Sequence, residues 1–411
     1  MWGLVAVWAG CGDYFRPVAF PNTPTPPNTA AAHFVYFFSQ NGGNNPGSGT
    51  RIDVAGDTNV ANTKLGIDPV HAALLPNGDE IYVVNQLEDT LSFYPPSVVT
   101  GISTITLPPG SRPVFVAGDN NTVYVANAGT NSVSVIPTAN NVVTNVIPVG
   151  AGPVALAETP DHSKVYAVNQ TAGTVTSINT LDSTVNSTTA TGATPVWSAM
   201  RSDGQRLYVL NSGGGTVSAI NTANDTVLGN ASVGAGANFI LYDESRTRLY
   251  VTNPVANTLS ILSASVDPPA VLAVVPMPAS PMVVAALPNA SKVYVASVQA
   301  GSNVISQVSV LNAGNNTVTS TIALNTVPAV AACAAARFRL FTVASADSTR
   351  IYVAGCDAGG TAIIRTVPGT FANSEPADTV VVDLPAPVSA GTSVNGSQPP
   401  PQNPVFMLAG P

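Results

Sequence analysis

Charge is what this sequence has least of. Asp, Glu, Lys and Arg make up 9% of its 411 residues, against roughly a quarter in an ordinary soluble domain. Solubility therefore rests on Asn, Thr, Ser and Gly, a surface chemistry common outside the cell and unusual in cytosolic enzymes. The 14 basic residues form no cluster, and the net charge is −8. Nucleic acid and anionic lipid head groups both require a basic footprint, so the composition argues against either partner. No apolar run approaches the roughly 18 residues of a membrane-spanning helix. Histidine and cysteine are equally scarce, three of each. No HExxH, CxxC or Asp-rich calcium loop is present, so no motif marks a metal site or calls for a cofactor. GxSxG is missing too, which removes the nucleophile elbow. The run Gly213-Gly214-Gly215 lacks the Lys of a phosphate loop.

What the sequence has in abundance is a repeat. A strand-like run with Tyr in second place recurs as IYVVN, VYVAN, VYAVN, LYVLN and LYVTN, its tyrosines at 82, 124, 166, 208 and 250, each 42 residues after the last. Degenerate copies follow at Tyr294 and Tyr352, and one precedes them at Tyr36. Before each Tyr run lies an apolar segment that often opens with Pro, such as PVFVAGD or PVWSAMR. Between the two comes a turn with Asn or Asp five residues before the Tyr: Asn77, Asp119, Asp161, Asp203, Asn289 and Asp347. Asn and Asp accept left-handed backbone and form Asx turns, which suits a tight hairpin. After the Tyr run come a Gly/Asn turn, a segment such as SVSVIP or TVSAIN with the alternation of a half-buried strand, and a fourth strand such as NVVTNVI. Four short antiparallel strands in about 40–45 residues make one propeller blade. The fold class is all-β.

The hYVxN core followed by a Thr-Val-Ser-type strand resembles the YVTN repeat of surface-layer-like β-propellers, over residues 33–411. The tyrosines count eight blades, with seven, the commoner number in such proteins, as the alternative. Tyr36 heads a unit that lacks its first strand, and Pro404–Leu408 near the C-terminus reads as that strand. The C-terminal strand is thus expected to close the ring and remove both free edges. The interval between Tyr294 and Tyr352 is 58 residues, and an Ala-rich insertion is expected at 325–337.

The first eleven residues, MWGLVAVWAGC, end in Ala9-Gly10-Cys11 and resemble a bacterial lipobox, with Cys11 as the lipidated residue of a truncated signal. Trp8 stands where that pattern prefers Leu, and no basic residue precedes the apolar stretch. Residues 12–32, with PNTPTPP, form a Pro-rich linker. The other two cysteines, Cys333 and Cys356, face each other if the insertion keeps the hairpin register, and an oxidising compartment would allow a disulfide. Two unpaired buried thiols are the alternative.

Candidate chemistry is thin. His71 lies on an inner strand at a position occupied elsewhere by Phe115, Ala155, Trp197, Phe239, Val283 and Phe341, which makes it a packing histidine. His162 falls in a hairpin turn. Some related propellers are lactonases that hydrolyse a cyclic ester at the channel mouth with acidic, His and Arg side chains. Glu158, Asp243 and Arg201 sit near inner-strand ends, but in different blades and beside turns, where solvated charges are expected. Asn-x-Ser/Thr triplets at Asn169, Asn186, Asn224, Asn230, Asn289 and Asn315 are read as turn residues. No catalytic residue, metal ligand or cofactor site is assigned. The sequence therefore points to an exported, lipid-anchored, non-catalytic scaffold or adhesion module for a protein, glycan or cell-wall component. A lactonase-like hydrolase is the alternative.

Overall fold

The computed structural model describes residues 34–41, 44–96, 101–368, 376–385 and 403–409. Cys11 and the linker at 12–32 lie outside them. Eight four-stranded antiparallel sheets follow one another around a ring. Their inner strands are Pro69–Leu74, Pro113–Gly118, Pro153–Glu158, Pro195–Met200, Phe239–Asp243, Ser280–Ala286 and Leu340–Ala344 for blades 2 to 8. The eighth inner strand, Asn403–Ala409, belongs to blade 1. It pairs with Phe34–Gln40, setting Tyr36 opposite Leu408 and Phe37 opposite Met407. Each inner strand packs on the next, and Asn403–Ala409 packs on both Leu340–Ala344 and Pro69–Leu74. The C-terminal strand closes the ring, so the blade count is eight. Among the described residues no helix is long and apolar enough to cross a membrane.

In several blades the Tyr of the repeat, or the basic residue two places before it, clamps the next blade. In blade 4 the Tyr166 hydroxyl donates to Asp225 at 2.6 Å and Lys164 Nζ meets the same carboxylate at 3.0 Å. Asp225 lies in the outer turn of blade 5. Lys292 and Tyr294 of blade 7 grip Asp378 of blade 8 in the same way, at 2.7 and 2.6 Å. Tyr82 reaches Asn141 at 2.7 Å, Arg248 reaches Asn316 at 2.8 Å, and Arg350 of blade 8 crosses the closure to Asp57 of blade 1 at 3.0 Å. The receiving residues Asp57, Asn141, Asp225, Asn316 and Asp378 all have positive φ, a conformation that Asn and Asp accept more readily than other side chains. The final Asn of the core also has a fixed task. Asn85, Asn127, Asn169 and Asn211 each donate to hydroxyls five and seven residues on, binding the second strand to the third. Gly192 makes room for one of them: a Cβ there would lie 2.7 Å from Asn211 Cγ.

Two expectations need correction. The extra residues of blade 7 are not one block at 325–337. Tyr294 pairs with Val310, sixteen residues on, whereas Tyr208 pairs with Ala219, eleven on. Five of the additional residues therefore lengthen the hairpin between the second and third strands. The rest extend the fourth strand to Thr317–Pro328 and form a short helix, Ala331–Ala335. Nor do all the Asn-x-Ser/Thr triplets fall in turns. Asn169 is a buried strand residue, and Asn186 and Asn230 also lie on strands. The Cys333 and Cys356 Sγ atoms are 2.04 Å apart, with Cα atoms at 5.7 Å. Their positions bring the helix beside the turn after Arg350–Gly355.

Candidate functional site

The channel axis is filled by aromatic rings. His71 and its register equivalents form a closed circuit in which His71 stacks on Phe115 at 3.7 Å, Phe115 meets Trp197 at 5.4 Å, and Trp197 meets Phe239 at 5.5 Å. Phe239 lies 6.3 Å from Phe341, Phe341 4.6 Å from Phe406, and Phe406 4.3 Å from His71. Six blades contribute one ring each. Phe338, from the blade 7 insertion, enters the circuit and lies 5.5–5.7 Å from Trp197, Phe239 and Phe341. Such edge-to-face arrangements are the favoured geometry for aromatic pairs. His71 is a packing residue in this circuit. It is 8% exposed, and its Nδ1 accepts a hydrogen bond from Val116 N–H at 3.4 Å. Burial, reinforced by the nearby Arg337 charge, holds its pKa well below the usual histidine value.

Arg337 caps the circuit where the inner strands begin. Its guanidinium lies over Trp197 at 4.5 Å and donates to the backbone carbonyls of Val154 and Val196. The side chain is solvent-accessible yet surrounded by protein, and that enclosure lowers its pKa to about 10. Beside it, between His71, Trp197, Phe338 and Gln40, remains a cavity of about 50 Å³. That volume holds a few waters. Ligand pockets run from roughly 300 to 1,000 Å³.

The opposite face, where the inner strands end, carries a different constellation. Glu158 ends the inner strand of blade 4 and is 3% exposed. His162 Nδ1 lies 2.8 Å from Glu158 Oε1 and 3.6 Å from Asp119 Oδ2. Asp119 follows the inner strand of blade 3 and is also buried. Its Oδ1 accepts from the Asn121 and Thr122 amides at 2.7 and 2.6 Å. Burial raises the Glu158 carboxyl to about 7, and the bond to Glu158 raises His162 above its ordinary value. Glu158 and Asp243, expected as solvated charges, are each only 3% exposed, while Arg201 pairs with Asp203 of its own hairpin at 2.7 Å. Sequence reasoning also missed Arg337, Phe338 and the grouping of Asp119 with Glu158 and His162. A signal for the last was present: at the register of Glu158 the other blades carry Leu74, Gly118, Met200, Tyr242, Ala286, Ala344 and Ala409, none of them an acid.

On the outer side, blades 4 and 5 border an open groove of about 490 Å³. Amide, hydroxyl and charged groups line it, among them Asn179, Thr180, Asn186 and Asn224, with Leu181 93% exposed at its edge.

No family model matches the chain, and no curated protein does. The similarity found is to solved structures. Hydrazine synthase from Kuenenia stuttgartiensis superposes with a TM-score of 0.56 at 18% identity, covering 73% of this chain and 96% of that one. A putative 6-phosphogluconolactonase from Bacteroides uniformis gives 0.55 at 15%, covering 72% and 98%. The periplasmic gluconolactonase of Pseudomonas aeruginosa gives 0.54 at 16%, covering 72% and 96%. At such identities the likeness is one of fold.

Proposed function

We propose that this chain is an exported β-propeller of the YVTN-repeat kind that does no chemistry at its axis and serves as a rigid scaffold or binding module at the cell envelope. The observation that carries this reading is the filled channel: the ring circuit, Phe338 and Arg337 leave about 50 Å³, too little for a sugar lactone. The groove between blades 4 and 5 offers about ten times that volume. Among a protein, a glycan and a cell-wall component, its amide and hydroxyl lining favours a glycan. Export is supported by the sparse charge of the chain. In this reading Cys333–Cys356 is a disulfide and Cys11 carries the lipid anchor.

The test is co-sedimentation of the purified protein with insoluble cell-wall glycan, for wild type and Leu181→Asp. Leu181 is almost fully exposed, so the substitution should leave stability within about 0.5 kcal/mol and reduce the bound fraction severalfold. Equal binding by both proteins would remove the groove from the account. Intact mass under non-reducing conditions reports the disulfide as a deficit of two hydrogens, and a chain beginning at Cys11 with added diacylglycerol reports the anchor.

A lactone hydrolase is the second reading. It is favoured by the folds that this chain shares with proteins described as gluconolactonases. The titratable groups that could serve it are Asp119, Glu158 and His162, at the end of the channel opposite Arg337.

A further inference from the structure

Asp119, Glu158 and His162 mark three departures from the repeat that meet at one point. The hairpin of blade 3 is two residues short: Phe115 and Tyr124 are nine residues apart, where Trp197 and Tyr208 are eleven apart, and Asp119 N–H already bonds Thr122 O. Elsewhere the corresponding bond spans five residues, as from Arg201 N–H to Arg206 O. The shortened turn sets the Asp119 carboxylate beside blade 4. Glu158 puts an acid where the other blades have none. His162 occupies the left-handed turn position with φ 58°, where Gly78 and Gly204 stand in blades 2 and 5. A left-handed histidine is less easily accommodated than glycine, and here it turns an imidazole onto two carboxylates.

We propose that Asp119, Glu158 and His162 bind one divalent transition-metal ion of the Zn²⁺ class between blades 3 and 4. One imidazole nitrogen and two carboxylate oxygens lie within 4.8 Å of one another. Ligand distances of about 2.0–2.2 Å set tetrahedral donor atoms roughly 3.3–3.6 Å apart, so the His162–Glu158 contact of 2.8 Å would open and any pair near the 4.8 Å limit would close by about an ångström, within reach of side-chain rotation. A second observation points to a cation. The Glu158 side chain is 1% exposed, and its Oε2 has no hydrogen-bond partner among the described residues. An anionic oxygen buried without a donor is expensive, and a coordinated cation satisfies it. Two carboxylates balance a divalent charge, leaving a neutral site. The nitrogen ligand and the small donor set favour Zn²⁺ over Ca²⁺, which takes six to eight oxygens. Three protein ligands leave a coordination position for water or an exogenous group.

The experiment is calorimetric titration of the chelator-stripped full chain with ZnCl₂ at pH 7, alongside Glu158→Gln and His162→Gly. The glycine variant reproduces the turn residue of blades 2 and 5, so it keeps the hairpin. Wild type should bind one equivalent, with Tm rising as free zinc rises, and both variants should lose more than about tenfold in affinity. Co²⁺ should give visible d–d bands with wild type and none that depend on the site with His162→Gly. If wild type shows no saturable binding, or binds no better than His162→Gly, the proposal is overturned and the cluster is an ion pair between His162 and its two carboxylates.

Discussion

At the scale of single residues, most of the structure follows from one rule applied eight times, and the exceptions carry the interest. His71 replaces a ring that is Phe in blades 1, 3, 6 and 8. It is neutral when folded because burial depresses its pKa, so the unfolded chain binds the proton more tightly. Its contribution to stability is therefore constant above the unfolded pKa of about 6.5 and is lost as pH falls below it. His71→Phe, which the circuit already accommodates, should remove this dependence. The stability difference between variant and wild type, measured by urea unfolding, should grow by about 1.4 kcal/mol between pH 7.5 and 5.5. A difference that stays constant would mean that His71 takes up its proton as readily in the fold as in the unfolded chain. The clamp residues make a second test. Asp225→Ala removes the carboxylate and leaves Lys164 and the Tyr166 hydroxyl only the Thr222 carbonyl that both also reach, and should cost about 2–4 kcal/mol. Tyr166→Phe should cost about 1–2 kcal/mol, since Lys164 still holds the carboxylate. The tyrosines were legible as a period but not as a clamp, because their partners stand 56–59 residues later, and 84 later for Tyr294, in a different turn of the next blade.

At the scale of elements, strand order and closure could be read from the sequence because a hairpin repeat constrains both. The incomplete unit at Tyr36 and the spare strand at Pro404–Leu408 fit only each other. Ending the chain at residue 402 should expose the Phe34–Gln40 edge and the buried Phe37 and Phe38. We expect either insoluble protein or a Tm lower by about 10 °C or more, whereas an unchanged Tm would show that the ring does not depend on this strand. The candidate site was less legible. Glu158 looked like a turn charge because inner-strand ends border solvent in most proteins, yet here the blade 3 hairpin and His162 cover it. The insertion in blade 7 was visible as a length anomaly. That its last residues, Arg337 and Phe338, turn inward to close the channel is a long-range consequence that no local pattern encodes.

At the scale of the whole molecule, the ring-filled axis separates two faces of different character. One face carries a solvent-accessible arginine over aromatic rings, and the other a half-exposed histidine on two buried carboxylates. The account assigns binding to the outer groove and denies substrate access through the axis. The measurement that tests this most directly is turnover of glucono-δ-lactone by the purified full chain, followed by proton release in weakly buffered solution. The account predicts a rate no different from spontaneous hydrolysis, with Phe338→Ala, which opens the plug, equally inactive. Catalysed hydrolysis by wild type, abolished by Glu158→Gln, would contradict it and establish the lactonase reading in its place.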